Sequence, residues 1–168
     1  DVRVRAVEEA PSGFHARFSA RAKTYRYRMV PAAVISPFEA RYAWHVTHAL
    51  ARGAMREALD ACRGTHDFAA FQATGTPVRD TVRTITAAHL TEGDDPDASL
   101  LIVEVTGDGF LRHMVRTLVG TLVDIGRGRW PAVEMGTILA ARDRGRAGPT
   151  APPQGLFLVS VDYGVKDD

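Results

Sequence analysis

The sequence predicts an α+β domain, with helices packed on one face of an antiparallel or mixed β-sheet. Its 168 residues are 45% apolar and 24% charged, which suits a single domain with a substantial buried core. Segments in which every second residue is apolar predict strands, and segments with apolar residues three and four apart predict helices. In chain order, the predicted elements are early strands, a helix, two strands, helices and a last strand. That order fits helices gathered on one face of a sheet.

The first half of the chain contains three predicted strands and one helix. Residues 2–7 and 23–30 alternate apolar and polar side chains, as half-buried strands do. Residues 42–46 are a shorter candidate strand. Residues 49–62 have helical spacing and are soon followed by a glycine, a common helix stop. After them, residues 65–67 are expected to cap a short helical turn.

The second half contains two strands, two helices and a last strand. A loop over residues 72–80 precedes them, and an acidic turn over residues 92–97 joins the two strands. Pro131 lies near the start of the second helix, a position that proline tolerates. A basic loop with glycine and proline follows at residues 143–153. The predicted elements are strands at 81–90 and 100–106, helices at 110–125 and 131–141, and a strand at 156–163.

The helix predicted at residues 110–125 raises a question of charge. At about 100° per residue its apolar side chains cover well over half of the circumference, so it should be largely buried. Arg112 falls within that apolar arc, and Arg116 lies at its border. A guanidinium near a core needs an anionic partner, because burying it unpaired is costly. The sequence therefore predicts an anion beside Arg116.

The composition of the chain excludes some classes of protein. Cys62 is the single cysteine, which excludes a disulfide framework, and we expect it in the core. No apolar run of membrane-spanning length occurs, so we expect a cytoplasmic protein without a membrane partner. The net charge of +1 neither favours nor excludes nucleic acid, although arginines are dense in residues 3–28. Arginine suits phosphate recognition, and genomic base composition explains the same bias.

No motif for a cofactor or a metal is present. The sequence has no P-loop, no dinucleotide-binding glycine pattern and no Cys/His metal spacing. His45 and His48 are three residues apart, but their neighbourhood is predicted as strand or loop. We therefore expect neither a cofactor nor a bound metal.

Aromatic and basic residues alternate in the strand at residues 23–30. Strand aromatics such as Tyr25 and Tyr27 stack on extruded RNA bases in some proteins, while cations hold the backbone. Alternatively, the tyrosines face a core and the arginines face solvent. Residues 14–18 likewise form either a phosphate-contacting loop or a loop anchored by two phenylalanines. The arginines around residue 144 are expected in a solvated turn.

Several strings in the sequence resemble those of the tRNA pseudouridine synthase A family. Their order and spacing span nearly the whole chain, and all of them in order make a chance match improbable. They are Phe14-His15-Ala16-Arg17-Phe18-Ser19-Ala20 with Lys23-Thr24-Tyr25-Arg26-Tyr27, Gly64-Thr65-His66-Asp67-Phe68 with Phe71, Thr81-Val82-Arg83-Thr84-Ile85, Gly109-Phe110-Leu111-Arg112-His113-Met114-Val115-Arg116 with Val119-Gly120, and Gly155-Leu156-Phe157-Leu158.

The resemblance implies an enzyme that isomerises uridine to pseudouridine at positions 38–40 of the tRNA anticodon stem-loop. The family needs no cofactor and acts as a homodimer. Its fold is that of pseudouridine synthases, of which this chain would form a ferredoxin-like half. An Asp is the nucleophile on a flipped-out uridine, and the uracil is detached, turned and rejoined through carbon 5.

The resemblance also implies roles for particular residues. Tyr25 matches the tyrosine that packs on the target base and helps in proton transfer, Arg116 pairs with the nucleophilic Asp, and Leu156 lines the uracil pocket. An aromatic face offsets stacking lost in base flipping, and a guanidinium lowers the pKa of a buried carboxylate. The same motifs place five further side chains on the substrate: His15, Arg17, Arg83, Phe110 and Arg112.

The sequence departs from the family in one respect. The Gly-Arg-Thr-Asp-Ala-Gly-like motif that carries the nucleophile is absent. Asp67, Asp80, Asp108 and Asp124 are expected instead as a cap, a loop residue, a turn residue and part of a polar helix face. We therefore expect residues 1–168 to be the C-terminal domain of a longer synthase, inactive by itself. Two alternatives stay open, a non-catalytic RNA-binding module and a dimerisation or scaffold domain.

Overall fold

The strands of the described residues assemble into one mixed sheet. The structure is a computed structural model that describes residues 2–75, 78–93 and 100–164. The strands of this described part are β1 (Ala22–Pro31), β2 (Trp44–Val46), β3 (Gly64–Asp67), β4 (Val82–Glu92), β5 (Leu101–Gly107) and β6 (Leu156–Asp162). Their order is β2-β1-β5-β4-β3, and β6 also pairs with β1. The β1–β2 pair is parallel, and the pairs that involve β3, β4, β5 and β6 are antiparallel.

The side chains of strand β1 alternate between the two faces of the sheet. Tyr27 lies opposite Val103 of β5 on one side, and residues that face each other across an antiparallel pair share a face. Both side chains are fully buried. Arg26 and Glu104 are also opposite each other, on the other face, where they form an ion pair of 2.8 Å with side chains 43% and 33% exposed. Of the two alternatives for the tyrosines of this strand, the core-facing one therefore holds at Tyr27.

Three helices of the described residues cover the buried face: α1 (Arg52–Asp60), α2 (Met114–Gly126) and α3 (Glu134–Ala141). Their buried side chains, such as Met55, Leu118 and Ile138, join those of the sheet in one core cluster. Every residue of α2 except Arg116 is buried. Each fully buried Leu or Met side chain contributes about 1.5–3 kcal/mol, so α2 is a main support of the fold. The predicted α+β class and the largely buried helix are both confirmed.

Residues 2–7 do not form the predicted strand. Val2, Val4 and Val7 are 93%, 76% and 89% exposed, and none of the described strands pairs with this segment. A strand needs the backbone groups of a neighbour to hydrogen-bond with. Alternation without such a neighbour therefore overpredicted a strand here.

The helix α2 begins at Met114, later than its apolar periodicity predicts. His113, the preceding residue, has a φ of 62°, a left-handed conformation that interrupts a right-handed helix. Residues 108–113 instead form a turn, which the Asp108 carboxylate ties to β4 by accepting a backbone N–H at 3.0 Å. Arg112 is exposed and lies outside the helix. The prediction that it falls within the apolar arc of the helix is wrong.

The strand β3 was not predicted, but Asp67 at its end caps the next turn as expected. Its Oδ1 accepts the backbone N–H of Ala69 at 3.0 Å and the hydroxyl of Thr81 at 2.6 Å. These bonds tie the short 3-10 turn Ala69–Phe71 to the start of β4.

Cys62 and Asp124 are both buried. Cys62 lies in the core as expected, and burial raises the pKa of its thiol to about 12. Asp124 is 3% exposed and pairs with Arg129 at 3.0 Å, so its assignment to a polar helix face is wrong. Residues 76–77 of the predicted loop and 94–97 of the predicted acidic turn lie outside the described residues.

Candidate active site

An aromatic side chain of β1 stands opposite a bulge in β6. The register of β1 against β6 shifts between Thr24 and Tyr25, and bulges of this kind re-aim side chains beside functional sites. Tyr25 is on the same face as the buried Tyr27, yet it is only half-buried. Its ring meets that of Phe110 edge-on, with centroids 5.1 Å apart and an interplanar angle of 82°. Phe110 therefore orients Tyr25 and leaves part of its ring accessible.

Strand β6 adds an apolar wall beside this tyrosine. Leu156 is opposite Tyr27 and half-buried, and Leu158 is opposite Tyr25 and 53% exposed. Because cross-strand partners share a face, the helix-bearing face is open to solvent at this end of the sheet. The side chains of Tyr25, Leu156 and Leu158 together form an accessible apolar surface.

Arg116 projects from the first turn of α2. Its Nε donates a hydrogen bond to the carbonyl oxygen of Ala151 at 2.6 Å, and the Ala151 N–H donates to the carbonyl oxygen of Arg116 at 3.1 Å. This reciprocal pair fixes the inner edge of the guanidinium. Among the described residues, no carboxylate lies within 4.0 Å of it. The predicted anionic partner is therefore not found in residues 2–75, 78–93 or 100–164.

The surroundings of Arg116 are positive and partly desolvated. Burial raises the pKa of the Tyr27 phenol far above its usual range, and the charge of Arg116 opposes that rise only in part. The pKa of His113 is lowered, first by burial and then by the charges of Arg116 and Arg112. The guanidinium of Arg116 thus acts on both neighbours. The positive charge of Arg116 favours an anion beside it, whereas burial disfavours one.

A segment of chain, residues 147–152, packs beside Arg116, and we refer to it as the strap. The hydroxyl of Thr121 accepts the backbone N–H of Gly148 at 2.9 Å. At the other end of the strap, the Tyr27 hydroxyl donates to the carbonyl oxygen of Pro152 at 2.7 Å. The strap is therefore held to both α2 and β1, and it presents the carbonyl that Arg116 binds.

His15 and Arg17 lie in a loop at the end of the sheet where β1 begins. Tyr163, just after β6, attaches this loop by donating its hydroxyl to the carbonyl oxygen of Ala16 at 3.0 Å. The Nδ1 atom of His15 accepts the backbone N–H groups of Arg17 at 3.1 Å and of Phe18 at 3.3 Å. The imidazole of His15 thus holds the turn through Nδ1, and the residue is exposed.

Phe18 is a candidate contact that the sequence did not single out. Its side chain is 76% exposed, with the guanidinium of Arg17 at 5.6 Å from the ring centroid and the ring of His15 at 4.4 Å. An exposed aromatic ring beside a cation is a surface on which RNA bases stack. Phe14 has the same sequence context but packs against Tyr163 at 5.0 Å. No local sequence signal separates the two phenylalanines.

Arg83 and Arg112 flank the turn at residues 108–113. Arg83 is half-buried and donates to the carbonyl oxygen of Asp80 at 3.2 Å. It lies so close to Gly109 that a Cβ added there would be 3.3 Å from its Cδ. Arg112 is exposed on the same turn. Two cations therefore border the turn that carries Phe110.

The structure gathers the predicted site at one end of the sheet. Tyr25 and Phe110 are in contact, and Leu156 and Arg116 are linked through Tyr27. Four further predicted contacts lie at the end of the sheet where β1 and β4 begin, namely the loop residues His15, Arg17 and Arg112 and the β4 residue Arg83. Sequence reasoning missed the hydrogen bond from Tyr27 to the strap, because nothing local links residues 125 positions apart.

The described residues contain neither a metal-binding cluster nor a membrane-spanning helix. No group of three or more His, Cys, Asp and Glu side chains in this part of the chain is arranged to hold a metal ion. Within the same residues, no helix is both long enough and apolar enough to cross a membrane.

Fold and site together define an α+β domain that presents an aromatic ring, an apolar wall and a guanidinium. A family model described as tRNA pseudouridine synthase matches residues 58–164. The chain belongs to this family.

Three relatives illustrate the similarity. The tRNA pseudouridine synthase A of Syntrophotalea carbinolica is 44% identical over 99% of this chain and 64% of its own length. That of Geobacillus kaustophilus is 46% identical over 97% of this chain and 62% of its length. That of Limosilactobacillus reuteri is 39% identical over 100% of this chain and 65% of its length. The chain thus spans somewhat less than two thirds of the length of these relatives.

Proposed function

We propose that this chain is the C-terminal domain of a tRNA pseudouridine synthase that acts on uridines 38–40 of the anticodon stem-loop. In this proposal the chain supplies Arg116, Tyr25 and Leu156, and the nucleophilic Asp comes from sequence outside the chain. The observation that carries it is Arg116 itself, anchored at 2.6 Å to a backbone carbonyl and without a carboxylate partner among the described residues. The match to the family over residues 58–164 supports the same assignment.

The base is handled by Tyr25 and Leu156. A uridine in a stem-loop must leave its stack before its glycosidic bond can be reached, which costs a few kcal/mol. The accessible ring of Tyr25 offsets part of that cost by contact with the uracil, and Leu156 closes the apolar side of the pocket. Phe110 and Arg112, together with His15, Arg17 and Arg83, contact the surrounding RNA.

The reaction exchanges one bond for another without a cofactor. The bond between C1′ of the ribose and N1 of uracil breaks, and a bond between C1′ and C5 forms after the ring turns. The proton on C5 is lost, and N1 gains one, so the product is an isomer of the substrate. In this proposal Tyr25 packs on the uracil ring and helps in this proton transfer.

Arg116 keeps the nucleophile ionised. A carboxylate enclosed with a base and apolar side chains has a raised pKa, because burial disfavours its charge. A guanidinium within about 4–6 Å lowers that pKa by about 1–3 units, and it cannot lose its own proton at neutral pH. The bond to Ala151 orients this charge before the substrate arrives.

The test uses tRNA that carries tritium at C5 of uridine, because isomerisation releases that label. We expect no release with the 168-residue chain alone. We expect release from a chimera in which the part of the Syntrophotalea carbinolica relative that this chain does not cover is placed before residue 1. Release by the chain alone would show that its own residues supply the nucleophile.

In the active chimera, Arg116→Ala should lower kcat by about 100- to 1,000-fold, the usual effect of removing one preorganised electrostatic group, with KM little changed. Arg127→Ala, which removes an exposed arginine just after the same helix, should leave both constants near those of the parent. A loss of affinity with unchanged kcat in Arg116→Ala would assign this residue to RNA binding instead.

RNA binding without catalysis is the second candidate, and the exposed Phe18 under Arg17 favours it. It predicts that the chain alone binds an anticodon stem-loop, with an affinity that falls steeply as salt rises. Salt-insensitive or absent binding in a filter-binding titration would reject it. The homodimer remains a prediction of the family resemblance, and the cytoplasmic location remains a prediction of the sequence composition.

A further inference from the structure

Arg144 does not lie in a solvated turn as its sequence context predicts. Its side chain is half-buried, and its guanidinium reaches the strap at three points. Nη1 donates to the carbonyl oxygens of Gly148 at 3.0 Å and of Ala147 at 3.4 Å, and Nη2 donates to the hydroxyl of Thr150 at 3.2 Å. One side chain thus binds both the start and the middle of the strap.

The strap continues from these contacts directly to Arg116. Ala151 follows Thr150 in the chain, and its carbonyl oxygen accepts the Arg116 Nε–H at 2.6 Å. The hydroxyl of Thr150 also lies 3.4 Å from that of Thr117, the neighbour of Arg116 on α2. A displacement of Thr150 would therefore move the acceptor on which the Arg116 guanidinium rests.

The chemistry of arginine explains why this residue type holds the strap. The strap, Ala147-Gly148-Pro149-Thr150-Ala151-Pro152, has few side chains of its own that donate hydrogen bonds, and two of its residues lack a backbone N–H. A guanidinium presents five N–H donors in a rigid fork, which suits several oxygens on one segment. Among the described residues, Arg144 has no carboxylate within 4.0 Å, so its bonds to the strap are its main attachment.

Two arginines near Arg144 in the sequence bind other partners. Arg142 pairs with Asp67, with Nε to Oδ2 at 3.3 Å, and Arg146 pairs with Glu134 at 3.3 Å. They share the residue type and the segment of Arg144 but make no such bond to the strap. Arg146 is therefore a matched control.

We propose that Arg144 is a positioning residue that sets the orientation of the Arg116 guanidinium through the strap. The proposal rests on the proposed function in one respect only, the catalytic consequence of that orientation. The structural link between Arg144 and Arg116 stands apart from activity and is tested on the chain itself.

The structural link is measured by hydrogen exchange of the Arg116 Nε–H in NMR spectra, assigned by its loss in Arg116→Lys. In the parent chain this N–H should exchange slowly, because it is bonded to Ala151. Arg144→Ala should speed its exchange at least tenfold, and Arg146→Ala should leave it unchanged. Arg144→Lys should restore it only in part, because an ammonium group lacks the fork that spans three acceptors.

The catalytic consequence is measured in the active chimera as the pH dependence of kcat. A misplaced Arg116 lowers the pKa of the nucleophilic Asp less than a well-placed one does. The acid limb of the profile should therefore move to higher pH by about one unit or less in Arg144→Ala, with KM unchanged. A residue that only stabilises the fold would leave this limb in place, and Arg146→Ala should do so.

Each result decides one point. Unchanged Nε–H exchange and an unchanged acid limb in a folded Arg144→Ala chain would overturn the proposal. If Arg144→Ala does not fold, Thr150→Val serves instead, because it removes one of the three acceptors of Arg144. The exchange rate of the Arg116 Nε–H must then rise in Thr150→Val for the proposal to stand. An inactive parent chimera would count against the proposed function, while the exchange measurement would still decide the role of Arg144.

Discussion

Helix α2 carries a glycine where the strap passes over it, and replacing that glycine should unseat the strap. A Cβ built on Gly120 would lie 2.9 Å from the carbonyl carbon of Pro149 and closer still to its oxygen. Carbon atoms pack at about 3.5–4.0 Å, so the strap would have to retreat by more than about 0.6 Å. Gly136 of α3 is the control, because an added Cβ there meets nothing within 4 Å.

Both substitutions gain helix propensity, but Gly136→Ala should stabilise the fold and Gly120→Ala should destabilise it. Alanine is about 1 kcal/mol more favourable than glycine in a helix interior, so Gly136→Ala should stabilise by roughly 0.5–1 kcal/mol. In Gly120→Ala that gain is outweighed by about 1–3 kcal/mol of overpacking. Two bonds of the strap also weaken, those of Ala151 to Arg116 and of Gly148 to Thr121, at about 1 kcal/mol each. The net loss should be about 2–4 kcal/mol.

Urea denaturation followed by circular dichroism measures these changes as shifts of the midpoint at constant slope. A change of 1 kcal/mol corresponds to about 2–4 °C in Tm for a chain of this size, so Gly120→Ala should melt roughly 4–16 °C below the parent. Gly136→Ala should melt slightly above it. If Gly120→Ala were as stable as Gly136→Ala, the strap would not be seated on α2, and the explanation of how Arg116 is held would be wrong.

Two further predictions concern Asp67 and His113. The hydroxyl of Thr81 chiefly, with the N–H of Ala69 and the charge of Arg142, lowers the pKa of the Asp67 carboxyl against the opposing effect of burial. Its stabilisation is therefore present above the unfolded pKa of about 3.9 and is lost as the pH falls through the folded pKa. Asp67→Asn should lower the free energy of unfolding by about 1–3 kcal/mol at pH 7 and by much less at low pH, as measured by denaturation curves. Equal losses at the two pH values would refute the stabilising role of the ionised Asp67 carboxylate. His113 has a φ of 62°, which costs a non-glycine residue about 1–2 kcal/mol. His113→Gly should therefore keep or raise Tm, and a drop in Tm would show that side-chain contacts of His113 outweigh the backbone strain.

Local patterns in the sequence predicted most strands and all three helices. The alternation at residues 23–30 became β1, and the apolar periodicity after residue 110 became α2. These patterns are reliable because one buried face imposes a repeat on neighbouring residues. The same patterns failed at residues 2–7, where alternation met no partner strand, and at β3, whose four residues are too short to show a repeat.

The sequence by itself determined the family motifs, and it raised the question of what Arg116 faces, because both follow from residue type and local spacing. Only the tertiary structure decided what holds Arg116 in place. Its Nε binds a carbonyl 35 residues further along the chain, and Tyr27 binds the strap across 125 residues. Three arginines in one loop look alike in sequence, yet only the packing of the strap on α2 brings Arg144 to Thr150 and Gly148. Contacts of that range depend on how the elements pack, which no local repeat encodes.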